Sequence, residues 1–221
     1  MSKRILLIGS GGHCHSVLDS VISGGDYDEI GVVARDAETL ETLRADKLIA
    51  DRLVGTDDDL PRLFAAGWEY AVITLGSVGN TAGRRKIFEI LTRIGFSLPP
   101  VIDPSAIVAE ASRIDPGVYV GKRAVVNAGS VIGTAAIINT GAIIEHDCTV
   151  GSFSHISTGA VLCGQVSVGD DTHIGAGSVV RQSIRIGCNA LVGAGSVVVR
   201  DIPACVVAYG NPCRVIEQEG K

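Results

Sequence analysis

The stretch Asn139-Thr140-Gly141-Ala142-Ile143-Ile144-Glu145-His146-Asp147-Cys148 is the densest polar cluster in the second half of the chain, and it sets one imidazole between two carboxylates. A neighbouring carboxylate can orient such a ring and favour the imidazolium formed after proton abstraction, so His146 reads as a general base. A solvated histidine on a corner is the plain alternative. His155 and His173 lie eighteen residues apart. They could line a ligand groove, decorate an edge or contribute to a zinc site. Open zinc sites want three protein ligands, and His146 occupies a different repeat position from the other two, so no metal is expected. Cys148 and Cys163 would serve as acyl-carrying nucleophiles only beside an activating base, and neither has a recognisable one. Both read as structural.

A second constellation opens the chain. Gly9-Ser10-Gly11-Gly12-His13-Cys14 follows the apolar stretch Arg4 to Ile8 and precedes a helical pattern from His15 to Ile22. In that position backbone N–H groups and a helix N-terminus can hold a phosphate, although a tight turn without a ligand would look the same. Cys14 stands where a dinucleotide fingerprint has its third glycine, and the second strand ends in Ala34-Arg35-Asp36, so NAD is a poor fit. The diphosphate of a nucleotide sugar suits the turn better, with Asp36 facing a ribose or base edge and Gly76 lining the cleft.

These residues must be positioned by two different kinds of element. From Ile102 to residue 203 the sequence divides into seventeen six-residue units, each begun by Ile, Val or Leu and often continued by Gly, as in Val120-Gly121, Val150-Gly151 and Ile174-Gly175. A period of six fits neither a helix nor one long strand. It fits short strands joined by turns at the corners of a triangular prism, three units per coil, so residues eighteen apart stack on successive coils. Before this, apolar runs at Glu29 to Val33 and Tyr70 to Leu75 and a helical pattern at Arg84 to Ile94 indicate a βαβ-type parallel sheet. We expect an α/β Rossmann-like domain over residues 1–100 and a left-handed parallel β-helix over 101–221, with the boundary near Pro99-Pro100.

Composition agrees with this division. The chain has 221 residues, 46% hydrophobic but only 4% aromatic, with 28 glycines. Six of its nine aromatics precede residue 100. Mean hydropathy is +0.35, yet no apolar run approaches the roughly 18 residues of a spanning helix, so no membrane insertion is expected. A net charge of −5 without a basic block argues against nucleic acid. The apolar stretch after the charged start is too short for a secretory signal, so a cytoplasmic location with reduced cysteines is expected for the six scattered thiols.

The Gly11-Gly12-His13 turn, Gly76, the hexads, Asn139 leading to Glu145-His146-Asp147, and the tail Gly210-Asn211-Pro212-Cys213-Arg214 together carry a resemblance over essentially the whole chain. It resembles the bacterial nucleotide-sugar acetyltransferases, the sialic-acid O-acetyltransferase-like group of hexapeptide-repeat enzymes that includes UDP-4-amino-sugar and GDP-perosamine N-acetyltransferases. The resemblance implies that His146 is the general base and that Asp147 raises its basicity. It implies that Asn139, Glu145, His155 and Gly164 serve acetyl-CoA and substrate, His155 near the thioester and Gly164 through its backbone. Gly11, Gly12, His13, Cys14, His15, Arg35, Asp36 and Gly76 are implied on the nucleotide-sugar side. It further implies acetyl-CoA as co-substrate, a homotrimer with CoA between neighbouring prisms, and direct transfer to a nucleotide-linked 4-amino-4,6-dideoxy sugar in bacterial surface-glycan or glycoprotein sugar biosynthesis. Sugar O-acetylation and a non-catalytic β-helix scaffold are the alternatives. The chain departs from the family at Cys14-His15, often Ala-Lys or Gly-x, at Ala34-Arg35-Asp36, often Asp-Asp, and at Cys213, usually Ala.

Overall fold

A computed structural model describes residues 2–216. The chain forms two compact units, one of residues up to Gly76 with Ala82–Pro104 and the other of Ser77–Thr81 with the residues from Ser105 onward.

In the first unit four parallel strands, β1 (Arg4–Ile8), β2 (Glu29–Ala34), β3 (Leu53–Thr56) and β4 (Tyr70–Ile73), lie in the order β3-β2-β1-β4. Central β1 is a continuous apolar run, and Ile5 to Ile8 are at most 1% exposed, as expected of a parallel strand covered on both faces. Four helices accompany the sheet: α1 (Gly12–Gly24), α2 (Ala37–Leu43), α3 (Leu60–Ala65) and α4 (Ala82–Ile94). Helix α1 begins three residues before the predicted His15, because extended Gly11 is its N-cap and the Cys14 N–H already closes a turn onto the Gly11 carbonyl at 2.8 Å. His13, Cys14 and His15 therefore occupy its first turn. The buried Arg84 guanidinium donates to the carbonyls of Ile73 (3.3 Å) and Leu75 (2.5 Å), fixing the chain as it leaves β4.

The second unit turns the hexads into two-residue strands. Each pairs in parallel with the strand eighteen residues on, as Ile137 with His155 and His155 with His173, and the ladders form the three faces of a left-handed parallel β-helix. The aliphatic residue that begins each unit from Val108 onward is the inward one, whereas Ile102 is exposed. From Val120 to Val198 these residues are at most 3% exposed, which makes a core of stacked Val, Ile and Leu.

The corners explain the rest of the pattern. One residue in six has left-handed backbone geometry, in unbroken series from Gly117 to Gly195. The glycine after the starter has a different reason: a Cβ on Gly175 would lie 2.6 Å from the Gly193 carbonyl carbon of the next coil, so only glycine fits. Eighteen-residue spacing holds as far as Val180 with Val198. The last unit departs from it, since Ile186 meets Ile202 and Leu191 meets Val207, both sixteen apart, and an antiparallel hairpin of Val207–Gly210 and Cys213–Ile216 ends the ladder.

The faces differ in what they show outward. One carries Ile107, Val125, Ile143, Val161, Val179 and Val197 as the outer residues of its strands, all aliphatic. Another carries Arg113, Val131, Thr149, Ser167 and Arg185 at the same positions.

Candidate active site

Glu145-His146-Asp147 forms a corner between the strands Ile143–Ile144 and Thr149–Val150. Coils on either side hold its backbone: the Asp147 N–H donates to Ala128 and the Gln165 N–H to the His146 carbonyl, each at 2.9 Å. Asp147 occupies the left-handed corner position with φ of 58°, which aspartate tolerates better than most residues. Its carboxylate lies 2.9 Å from Nδ1 of His146. A carboxylate accepts, so Nδ1 carries the hydrogen and Nε2 is left with a lone pair. Glu145 turns away, accepting from the Asn127 amide at 3.1 Å. The partner of His146 is thus Asp147 alone of the two flanking acids.

Glycines one coil away on either side make room for this pair. A Cβ on Gly164 would stand 2.6 Å from Nε2 of His146, and one on Gly129 would meet Asp147 Oδ1. Gly129 escaped the sequence reading, although its place eighteen residues before Asp147 marks it. Both His146 and Asp147 are more than half exposed, so their hydrogen bond does little for stability and leaves the basic nitrogen open to a ligand.

Asn139 and His155 form a second group. The Asn139 carbonyl accepts from the Thr140 N–H at 2.8 Å, which leaves its amide to donate to His155 Nε2 at 3.1 Å. His155 Nδ1 lies 2.7 Å from the Ser77 carbonyl. His173 packs edge-on against it with centroids 5.0 Å apart and approaches the Ser157 hydroxyl at 3.3 Å. Burial lowers the His173 pKa, with the Ser77 carbonyl opposing in part. A cavity of about 420 Å³ is lined here by Val78, Asn139, His155, His173, Leu191 and Gly193. Cys148 is buried, its thiol donates to the Cys163 carbonyl at 3.2 Å, and burial raises its pKa, which suits structure rather than nucleophilic attack. Among the described residues, no group of three or more His, Cys, Asp or Glu side chains is arranged to hold a metal ion.

In the α/β unit a cleft of about 420 Å³ is lined by Ile8, Gly9, Arg35, Asp57, Leu75 and Lys86, beyond the carboxyl ends of the strands where open parallel sheets bind ligands. Asp57 and Lys86 were not singled out in the sequence; the acidic run Asp57-Asp58-Asp59 after Thr56 was the available signal. Partial burial, with the neighbouring charges of Asp58 and Asp36, raises the Asp57 pKa to about 6 against the opposing pull of Lys86 and Arg35. Of the predicted nucleotide residues, Arg35 lines this cleft. Asp36 caps α2, accepting from the Thr39 N–H at 2.8 Å, and also takes Arg35 Nε at 2.7 Å. These hydrogen bonds lower its pKa to about 2. Gly11 and Gly12 face open space at the N-terminus of α1, Gly76 has His13 beside it, and His15 pairs with Asp46 at 2.9 Å. Cys14 is fully buried with its pKa raised to about 11 by burial, so its side chain faces the core and is not offered to a ligand.

A three-sided β-helix with an exposed, carboxylate-paired histidine over glycine defines a hexapeptide-repeat acyltransferase. Residues 147–182 match the family described as bacterial transferase hexapeptide (six repeats), residues 165–200 the hexapeptide repeat of succinyl-transferase, and residues 4–91 the PglD N-terminal domain. PerB from Caulobacter crescentus, solved in complex with CoA and GDP-perosamine, is 36% identical over 96% of both chains with a TM-score of 0.86. The acetyltransferase domain of PglB from Neisseria gonorrhoeae FA1090 is 32% identical, covering 97% of this chain and 100% of its own, with a TM-score of 0.86. Its complex with acetyl coenzyme A matches at 32% identity over 98% and 100%, with a TM-score of 0.84. No curated protein matches the chain. The chain belongs to the bacterial nucleotide-sugar acetyltransferase family of hexapeptide-repeat acyltransferases, as its sequence motifs implied.

Proposed function

We propose that this protein transfers the acetyl group of acetyl-CoA to the amine of a nucleotide-linked 4-amino-4,6-dideoxy sugar, with His146 as general base. The observation that carries the reading is the His146–Asp147 pair, 2.9 Å apart on an open corner with Nε2 over Gly164. It is supported by the 36% identity to an enzyme solved with CoA and GDP-perosamine. The sugar amine attacks the thioester carbonyl carbon. As the C–N bond forms, Nε2 accepts the amine proton, and Asp147 holds the imidazolium through Nδ1–H. The C–S bond then breaks and the proton passes to the CoA sulfur. General-base catalysis of this kind supplies about 10² to 10⁴ in rate, and holding both reactants in one geometry supplies much of the rest.

The donor side is assigned to Asn139, His155 and the backbone at Gly164, with Glu145 supporting the corner. The nucleotide is assigned to the α/β unit, its diphosphate at Gly11, Gly12 and the α1 N-terminus beside His13, and its nucleoside toward Arg35 and Asp57, with Cys14, His15, Asp36 and Gly76 shaping that end. The working form is a homotrimer of cytoplasmic enzymes. Asn139 and His146 stand at the two corners that border the aliphatic face, and packing that face about a three-fold axis brings the His146 corner of one copy toward the Asn139 corner of the next. Amine acetylation is favoured over the hydroxyl alternative because the solved PerB carries an amino sugar. The test is incubation with acetyl-CoA and a panel of GDP- and UDP-linked 4-amino sugars, followed by thiol release and mass analysis. An acetylated amine is the expected product; thiol release only with hydroxyl acceptors, or none at all, refutes the assignment.

A further inference from the structure

The five residues Ser77–Thr81 belong to the β-helical unit although the chain on either side belongs to the other. Val78, Gly79 and Asn80 are exposed, Val78 to 73%, so the segment is not held by burying its own middle. Contacts at Ser77, Gly79 and Thr81 hold it. The Ser77 carbonyl meets His155 Nδ1 at 2.7 Å. Gly79, with φ of +67°, lies so close to Leu191 that a Cβ would stand 2.8 Å from Leu191 Cδ1. The Thr81 hydroxyl donates to Asp171 Oδ1 at 2.5 Å.

We propose that Ser77–Thr81 is a positioning strap for the acetyl-donor subsite, whose Ser77 carbonyl holds His155 in the tautomer that receives the Asn139 amide. The meaning of that subsite rests on the function proposed above; the geometry of the strap does not. A carbonyl can only accept, so Nδ1 of His155 carries its hydrogen. An amide NH₂ can only donate, so Nε2 carries a lone pair. Two partners with one possible role each define a neutral imidazole in a single tautomer. Through it they orient Asn139, whose carbonyl is already taken by the Thr140 N–H, and leave the second amide hydrogen for an acceptor on the acetyl donor. His155 on this account is a positioning residue and passes no proton.

The test uses the full-length protein. The variant Thr81→Val keeps the side-chain shape and removes the anchor to Asp171. We expect kcat/KM for acetyl-CoA to fall about tenfold, the scale of one lost hydrogen bond in a ligand-orienting network, with KM for the nucleotide sugar unchanged. The ¹⁵N spectrum of wild-type His155 shows a protonated Nδ1 and a bare Nε2, and in the variant the two move toward a common average. Wild-type His155 in the other tautomer, or a Thr81→Val variant with unaltered spectrum and unaltered acetyl-CoA kinetics, overturns the proposal. The pair His155→Gln and His155→Leu tests the positioning role. Glutamine offers an N–H to Ser77 and an oxygen to Asn139, so it should keep at least about ten times more kcat/KM for acetyl-CoA than leucine; equal loss in both overturns it. Absence of acetyl transfer by the wild type would refute the function, while the imidazole spectrum would still decide the strap.

Discussion

At the corner that carries His146, the residue on the next coil is as telling as the histidine. Gly164 does not need a positive φ; it needs the absence of a Cβ, which would stand 2.6 Å from Nε2. Gly164→Ala should therefore leave the fold intact and push the ring aside, lowering kcat by roughly ten- to a hundredfold, in line with the cost of misplacing a reacting group by about 1 Å. Steady-state kinetics with circular dichroism on the same preparation check this. A second residue-scale expectation concerns pH. The half-buried Asp57 has its pKa raised from the ordinary 3.8 to about 6, so the folded state binds more protons than the unfolded state between those values. Stability from this group is full below about pH 4 and is lost as pH rises through about 6. Asp57→Asn should raise stability at pH 8 by about 1 kcal/mol, after discounting for solvent screening, and change little at pH 4, as read by thermal unfolding at both pH values. His146 was legible because carboxylates flank it in sequence. The choice between the two carboxylates came from the family resemblance, which named Asp147, and not from the flanking residues, because it depends on Asp147 pointing back along the corner while Glu145 is drawn to Asn127 on the adjacent coil. The Asn139–His155 pair likewise depends on a diagonal step between coils that no local motif displays.

The elements divide in the same way. A hexad repeat announces its architecture because the inward plug and the turn recur at fixed intervals, and the stacking of His155 on His173 follows from spacing alone. The repeat also separates two kinds of glycine. Gly175 faces the backbone of the next coil, whereas Gly177 has φ of +66° and open space around it. Gly175→Ala should cost several kcal/mol, since backbone must move, and Gly177→Ala about 1 kcal/mol, the conformational penalty alone. Denaturant unfolding of the two variants distinguishes these sources, and equal losses would contradict the account. In the α/β unit, β1, β2, β4 and α4 were readable from their apolar runs. Segments α2 and α3 were not, because they span seven and six residues, too few for a helical period, and β3 was not, because its four residues are only half-buried and show no buried apolar run of the kind in β4. Helix α1 began earlier than its pattern because its start is set by Gly11, which has no side chain to announce a cap.

For the whole molecule, the homotrimer proposed above makes the aliphatic face the surface to test. Val179 is 38% exposed in the single chain, so Val179→Glu should not disturb folding of one copy, yet it would place a charge in the face proposed to pack between copies. Sedimentation should show loss of the trimer with activity falling in step; an active monomer would contradict a site shared between copies. The central claim is that His146 takes the amine proton during transfer from acetyl-CoA to an amino sugar carried on a nucleotide. It is tested most directly by comparing wild type and His146→Ala in acetyl transfer to GDP-perosamine, the sugar nucleotide held by PerB, or to the best acceptor of the panel. The account predicts CoA thiol release matched by N-acetylated product, with kcat at least about a hundredfold lower in the variant and both KM values near those of wild type. Near-normal turnover by His146→Ala would contradict it.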